Sequence, residues 1–109
     1  MIVGPIVFSL TVSPVEDETD FAVATVTAVR TDRRPLENPH IFVQPADLVV
    51  GHEAGRVSVS LSREDIRQGL GRVAIRIKDQ AGERVADVAL VASVEKEGSI
   101  KAKLERKIV

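Results

Sequence analysis

RVSVSLSREDIRQGLGRVAIRIKD, residues 56–79, holds two alternating runs with a break between them. Val57, Val59 and Leu61 alternate with Arg56, Ser58 and Ser60, the period of two that a strand needs to wet one face and bury the other. The alternation then breaks. Ser62 offers a hydroxyl N-cap, Glu64 and Asp65 fall in the first turn, and Gly69 closes the segment. One or two helical turns over 62–69 therefore carry the chain from one sheet to another. Alternation resumes with Val73, Ile75 and Ile77 set against Ala74, Arg76 and Lys78. Strand, short crossover and strand fit two packed antiparallel sheets.

Working outward, the same period recurs. Ile6, Phe8, Leu10 and Val12 alternate with Val7, Ser9, Thr11 and Ser13. Pro14 then leads into an acidic stretch that reads as a solvated loop. A second strand spans about 21–30. Residues 31–39 hold two prolines and Asn38, a loop composition. His40 to Gln44 is a short strand that Pro45 stops or confines to an edge. Asp47 to Val50 adds a short edge strand, and 51–55 is a turn. Asp79-Gln80-Ala81-Gly82 is a hairpin connection, with Gly82 at the position that needs a positive φ. Val85, Val88, Ala89 and Ala92 match a helical template too, but the preceding glycine turn and the valine content favour a return strand. After Gly98, Ile100, Ala102, Leu104 and Ile108 alternate with Lys101, Lys103, Glu105 and Lys107.

About seven to eight short strands with turn signals about every 8–12 residues define the expected fold: a single all-β domain over 1–109, an antiparallel β-sandwich with one short helical crossover near 62–69. With no Trp, no Tyr and three Phe, the core must be filled by Val, Ile, Leu and Ala.

Ala24 to Val29 leading into Arg34-Pro35-Leu36, Arg56 to Leu61, and Arg72 to Gly82 resemble the immunoglobulin-like and fibronectin-like modules of bacterial multidomain proteins. In that family such runs form a strand, a proline turn and a late hairpin closing on Asp and Gly. The paired cysteines, core Trp and corner Tyr of antibody domains are missing here. The resemblance implies a spacer, adhesion or assembly module, and it brings no functional residues with it.

Composition removes several chemistries. Zero Cys excludes disulfides, thiolate zinc sites and thiol nucleophiles. A formal net charge of -1, from 15 bases and 16 acids, argues against nucleic acid, and the scarcity of aromatics argues against base stacking and sugar platforms. No apolar run approaches the roughly 20 residues that span a bilayer. The alternating first residues are a strand pattern rather than a signal segment. The expected location is cytoplasmic, or that of a domain excised from an exported protein. There is no Gly-x-Ser-x-Gly elbow or other nucleophile motif, so the expectation is no enzyme and no cofactor.

Two metal readings arise. Glu16, Asp17, Glu18 and Asp20 can supply oxygens to Ca²⁺, although they match no EF-hand spacing and a solvated acidic loop accounts for them. His40 and His52 are the only imidazoles; a zinc site would need both plus a carboxylate such as Glu37, Asp47 or Glu53. No zinc-ligand spacing links them, and two unrelated histidines are the simpler reading.

Charge divides along the chain. Residues 1–55 hold eight acids and three bases, a balance of -5, whereas 56–109 hold eight and twelve, a balance of +4. Either the halves interleave and mix, or they form opposed faces. Lys101, Lys103, Arg106 and Lys107 could bind phosphate or an anionic surface, but most of them alternate with apolar residues and form the wet side of the last strand, where lysines block unwanted pairing. Its apolar side must be covered, by its own sandwich or by a neighbouring chain. The expected partner is a protein, or a second copy through edge strands, with Ile100, Lys101, Lys103, Leu104 and Ile108 as interface. The function expected is a non-enzymatic structural, adhesion or assembly module; the alternative is a sandwich that binds a small ligand or calcium.

Overall fold

Alternation becomes layering because each strand must turn its apolar residues toward a common interior. The computed structural model describes residues 1–15, 18–34, 36, 38–53, 55–79 and 84–106, with the backbone alone at 15, 18, 19, 79 and 84. Its strands are β1 (Ile2–Val3), β2 (Ile6–Val15), β3 (Glu18–Arg30), β4 (His40–Gln44), β5 (Val49–Glu53), β6 (Arg56–Ser62), β7 (Arg72–Asp79), β8 (Arg84–Val94) and β9 (Ile100–Arg106). They form two antiparallel sheets, one in the order β1-β2-β3-β6-β5 and the other in the order β4-β7-β8-β9. The fold is the expected all-β sandwich. The two-residue β1, folded back on β2 by pairing Val3 with Ile6, adds to the strands the sequence announces. The long axis of 42 Å matches β3, whose 13 residues advance about 3.3 Å each.

The 62–69 crossover is present. Helix α1 (Arg63–Arg67) joins β6 of the first sheet to β7 of the second. Ser62 Oγ accepts from the Asp65 N–H at 3.4 Å, and Gly69 takes φ +86° just past the helix. Ile66 packs against the core from this helix. The ambiguous segment 85–94 is strand β8, paired with β7 from Arg72↔Val91 to Asp79↔Arg84. Partners on both sides settle that choice: a helix there would leave β9 without a neighbour and β7 with β4 alone.

Ile6, Phe8, Val26, Val57, Val59, Val73, Ile75, Ile77, Val88 and Leu90 are essentially fully buried. Small residues on β3, namely Ala22, Ala24 and Ala28, accompany larger ones on β7, a division of volume that lets two sheets close without an aromatic interior. Ala89 is buried on the outer face of β8. Arg72 of β7 and Glu105 of β9 meet at 3.5 Å, so their ion pair passes over β8 and covers the small side chain.

Three local expectations are corrected. Pro14 lies inside β2, opposite Ala22, not at the start of a loop. Phe8 exchanges both backbone hydrogen bonds with Met1, at 2.7 and 2.8 Å, on the side away from β3. Even-numbered residues of β2 therefore point their N–H groups outward, and the missing N–H of Pro14 costs the β2–β3 ladder nothing. Glu18 and Asp20 belong to β3 rather than to a loop. Ala46–Leu48 forms a 3-10 turn, after a cis Gln44–Pro45 bond, so β5 starts two residues later than expected and runs on through Gly51 to Glu53. A bulge between Val49 and Gly51 accommodates the glycine within that strand. The hairpin connection with Gly82 lies outside the described residues.

Candidate functional site: the outer face of the four-stranded sheet

Strand parity dictates what each outer face displays. On β7, burial of Val73, Ile75 and Ile77 turns Arg72, Ala74, Arg76 and Lys78 outward. The register places Phe42 beside Arg76 and Gln44 beside Ala74 on one flank, and Asp87 and Ala89 beside the same two residues on the other. Lys101, Lys103 and Glu105 complete the face on β9. Basic residues thus gather on this sheet. The opposite outer face, built from Ser9, Thr11, Ser13, Thr25, Thr27, Ser58 and Ser60, carries hydroxyls in place of charge across its middle, with Thr25 Oγ1 and Ser58 Oγ 3.0 Å apart. The halves of the chain separate by sheet except for β4 and β6, which exchange places. The counterpart of the basic face is therefore a hydroxyl face and not an acidic one.

A concavity of about 900 Å³ opens on the basic face, between Phe42 and Pro45 on one side and Ala74, Arg76 and Asp87 on the other. The small side chain of Ala74 leaves its floor low. Phe42 remains 56% exposed and stacks on His40 with ring centroids 6.4 Å apart. Arg76 and Asp87 form a two-point pair, Nε to Oδ1 at 2.7 Å and Nη2 to Oδ2 at 3.3 Å. That hydrogen bond, and then the carboxylate charge, hold the Arg76 guanidinium above its ordinary pKa. The fork is fixed in direction, so the site offers an aromatic wall, a proline edge and a planar polar rim. These are groups for packing and orienting another surface.

The residues singled out from the sequence do not assemble here. Glu16 and Asp17 lie outside the described residues, as does the Glu18 side chain. Asp20 on β3 is exposed and bridges to Arg63 Nη1 at 3.3 Å. His40 lies on β4 and His52 on β5, edge strands of different sheets. Among the described residues, no group of three or more His, Asp or Glu side chains is placed to hold a metal ion. Ile100 and Leu104 pack against the sandwich's own core, so the apolar side of β9 is covered from within. Lys101 and Lys103 stay exposed, near Glu95 at 3.8 Å and Glu105 at 3.2 Å. Ile108 lies outside the described residues. Sequence reasoning missed Phe42. The signal was available: with Ile41 and Val43 turned inward, the aromatic between them must face out.

One exposed turn carries a titration handle. Ser99 Oγ donates to Glu97 Oε1 at 2.7 Å. This bond first, then a backbone hydrogen bond and the charge of Lys101, hold the Glu97 carboxyl below the usual range. A depressed carboxyl stabilises the fold above its unfolded pKa, and that contribution is lost as pH falls through the folded value. Ser99→Ala is expected to raise the Glu97 pKa, read by NMR titration of the side-chain carboxyl. An unchanged midpoint would show that the hydroxyl does not set it.

No helix among the described residues is long and apolar enough to cross a membrane. Compared with known protein families, with curated proteins and with solved structures, the chain finds no match.

Proposed function

We propose that this chain is a non-enzymatic β-sandwich module of immunoglobulin-like arrangement that works through contacts with other protein chains, in a structural, adhesion or assembly role. The observation that carries the reading is the exposed Phe42 at the rim of a concave face with Pro45 and the Arg76–Asp87 fork. Exposed aromatics and arginines are enriched where proteins meet, because they combine buried area with directional hydrogen bonding. The strand order supports the immunoglobulin-like part. β2-β3-β6-β5 facing β4-β7-β8 has the ABED and CFG arrangement of that fold, with β9 added beside the last strand.

The competing reading, a calcium- or ligand-binding sandwich, makes a different thermal prediction. An ion that binds only the native state must raise Tm. Melts with excess Ca²⁺ and with excess Zn²⁺ are expected to superimpose on the melt in chelator. A rise of several degrees with either ion would replace the protein-contact reading with the metal-binding one.

A further inference from the structure

Natural sheets guard their edges with charge, proline, bulges or a covering loop, and three edges of this sandwich follow that rule. β9 presents Lys101 and Lys103. β5 carries the bulge between Val49 and Gly51 and ends on Glu53. β4 is five residues long, lies between Pro39 and Pro45, and has the Ala46–Leu48 turn packed against it. The outer side of β2 differs. β1 covers it only as far as Phe8, and beyond that the strand reads Ser9-Leu10-Thr11-Val12-Ser13-Pro14, without a charge.

Parity fixes which groups this edge displays. Because Phe8 bonds outward to Met1, Leu10 and Val12 also turn their N–H and C=O groups outward, and Pro14 turns out its C=O. No strand among the described residues pairs with them there. Beneath the edge, between β2 and β9, a cleft of about 550 Å³ is lined in part by Val12, Pro14, Ala22, Ile100 and Ala102.

We infer that a second copy of this chain adds to the outer edge of β2, antiparallel and two-fold symmetric about Val12. A two-fold contact sets each strand against its own sequence. Like charges placed opposite one another are destabilising, so the lysines of β9 disfavour pairing with themselves, whereas the uncharged edge of β2 tolerates it. In this register each Val12 N–H donates to the second copy's Val12 C=O, and each Leu10 N–H donates to the second copy's Pro14 C=O. The proline lacks only the donor that would have completed the outermost pair. Leu10 and Val12 of the added strand point to the interior side, over the apolar cleft. The edge is already suited to such an addition, since β1 occupies its first part in the same antiparallel sense.

The inference rests on the protein-contact reading above and deepens it by naming the edge and the partner. Sedimentation equilibrium of the full chain, from low to high micromolar, tests it. The expected result is a reversible species of twice the 11.8 kDa chain mass. Val12→Pro removes an outward N–H, spares the β2–β3 ladder and replaces a half-buried side chain, so its fold is checked by circular dichroism; it is expected to weaken the dimer roughly thirtyfold, two hydrogen bonds being lost per dimer. Thr11→Lys, at an exposed position with its fold checked by circular dichroism, is expected to weaken it severalfold, and less so in high salt. Lys103→Glu on β9 should leave it intact. A monomer at every concentration overturns the self-pairing and leaves this edge to a strand of a different protein. A dimer indifferent to both β2 variants overturns the choice of edge while the protein-contact reading stands.

Discussion

Replacing Phe8 with Ala is expected to destabilise the domain by about 3–5 kcal/mol, a large part of the 5–15 kcal/mol that holds a typical domain together. Phe8 is 1% exposed, whereas Phe21 and Phe42 are 39% and 56% exposed. It is therefore the single aromatic of the interior, seated on β2 among Val, Ile, Leu and Ala side chains too short to reach across the space it would vacate. Truncation removes the transfer free energy of the ring and leaves a cavity that close-packed β-branched neighbours cannot collapse to fill. At about 4–8 °C per kcal/mol for a chain of this size, Tm should fall by roughly 12–40 °C. Phe42→Ala, which empties no interior space, serves as the control and should change stability by less than about 1 kcal/mol. A Phe8→Ala protein melting within a few degrees of the parent would refute the placement of this core.

The second large effect comes from backbone rather than side chain. A Cβ on Gly71 would lie 2.8 Å from the Ala92 carbonyl oxygen, closer than atoms of a relaxed structure approach. The same two residues are locked together, since Ala92 N–H donates to Gly71 C=O at 2.7 Å. Neither strand can retreat without breaking that bond at the point where the crossover enters β7. Gly71→Ala is expected to cost about 1–3 kcal/mol, as overpacking of a fixed site does. Gly69, two residues earlier, separates steric crowding from backbone strain. It takes φ +86° with nothing within 4 Å of its ideal Cβ, so Gly69→Ala should cost only the left-handed penalty of about 1–2 kcal/mol. Chemical denaturation of both variants provides the comparison. If Gly71→Ala proves harmless, the close approach of β7 to β8 is not as described.

How much of this was legible beforehand differs between strands and their surroundings. The 62–69 crossover could be read because capping is local: Ser62, Glu64, Asp65 and Gly69 act within one turn of the chain. Alternation in β6, β7 and β9 could be read for the same reason, since side-chain direction in a strand follows from the residue's own parity. Pro14 was misread because its tolerance depends on which side of β2 carries β3, a fact no local pattern contains. β5 was cut short because a glycine within a bulge looks like a turn until its pairing with β6 is known. The concave site was missed as a site, though Phe42's outward orientation followed from Ile41 and Val43, because Ala74, Pro45 and Asp87 become its neighbours only through pairing in the register.

An all-β sandwich with an aliphatic interior, the exclusion of thiol chemistry and a short helix between the sheets could all be read from the residues alone. These follow from composition and from periods of two that persist whatever the strands pair with. Which strands are neighbours, and so which edges remain open, comes from the packed fold. The order β1-β2-β3-β6-β5 against β4-β7-β8-β9 leaves the outer side of the uncharged β2 segment without a strand among the described residues and turns the lysines of β9 into a guarded rim. Pairing partners lie tens of residues apart, as Thr25 and Ser58 do, and backbone hydrogen bonds are the same for every residue type except proline. Which strand meets which is therefore settled by how the buried faces close over one another, not by any pattern along the chain.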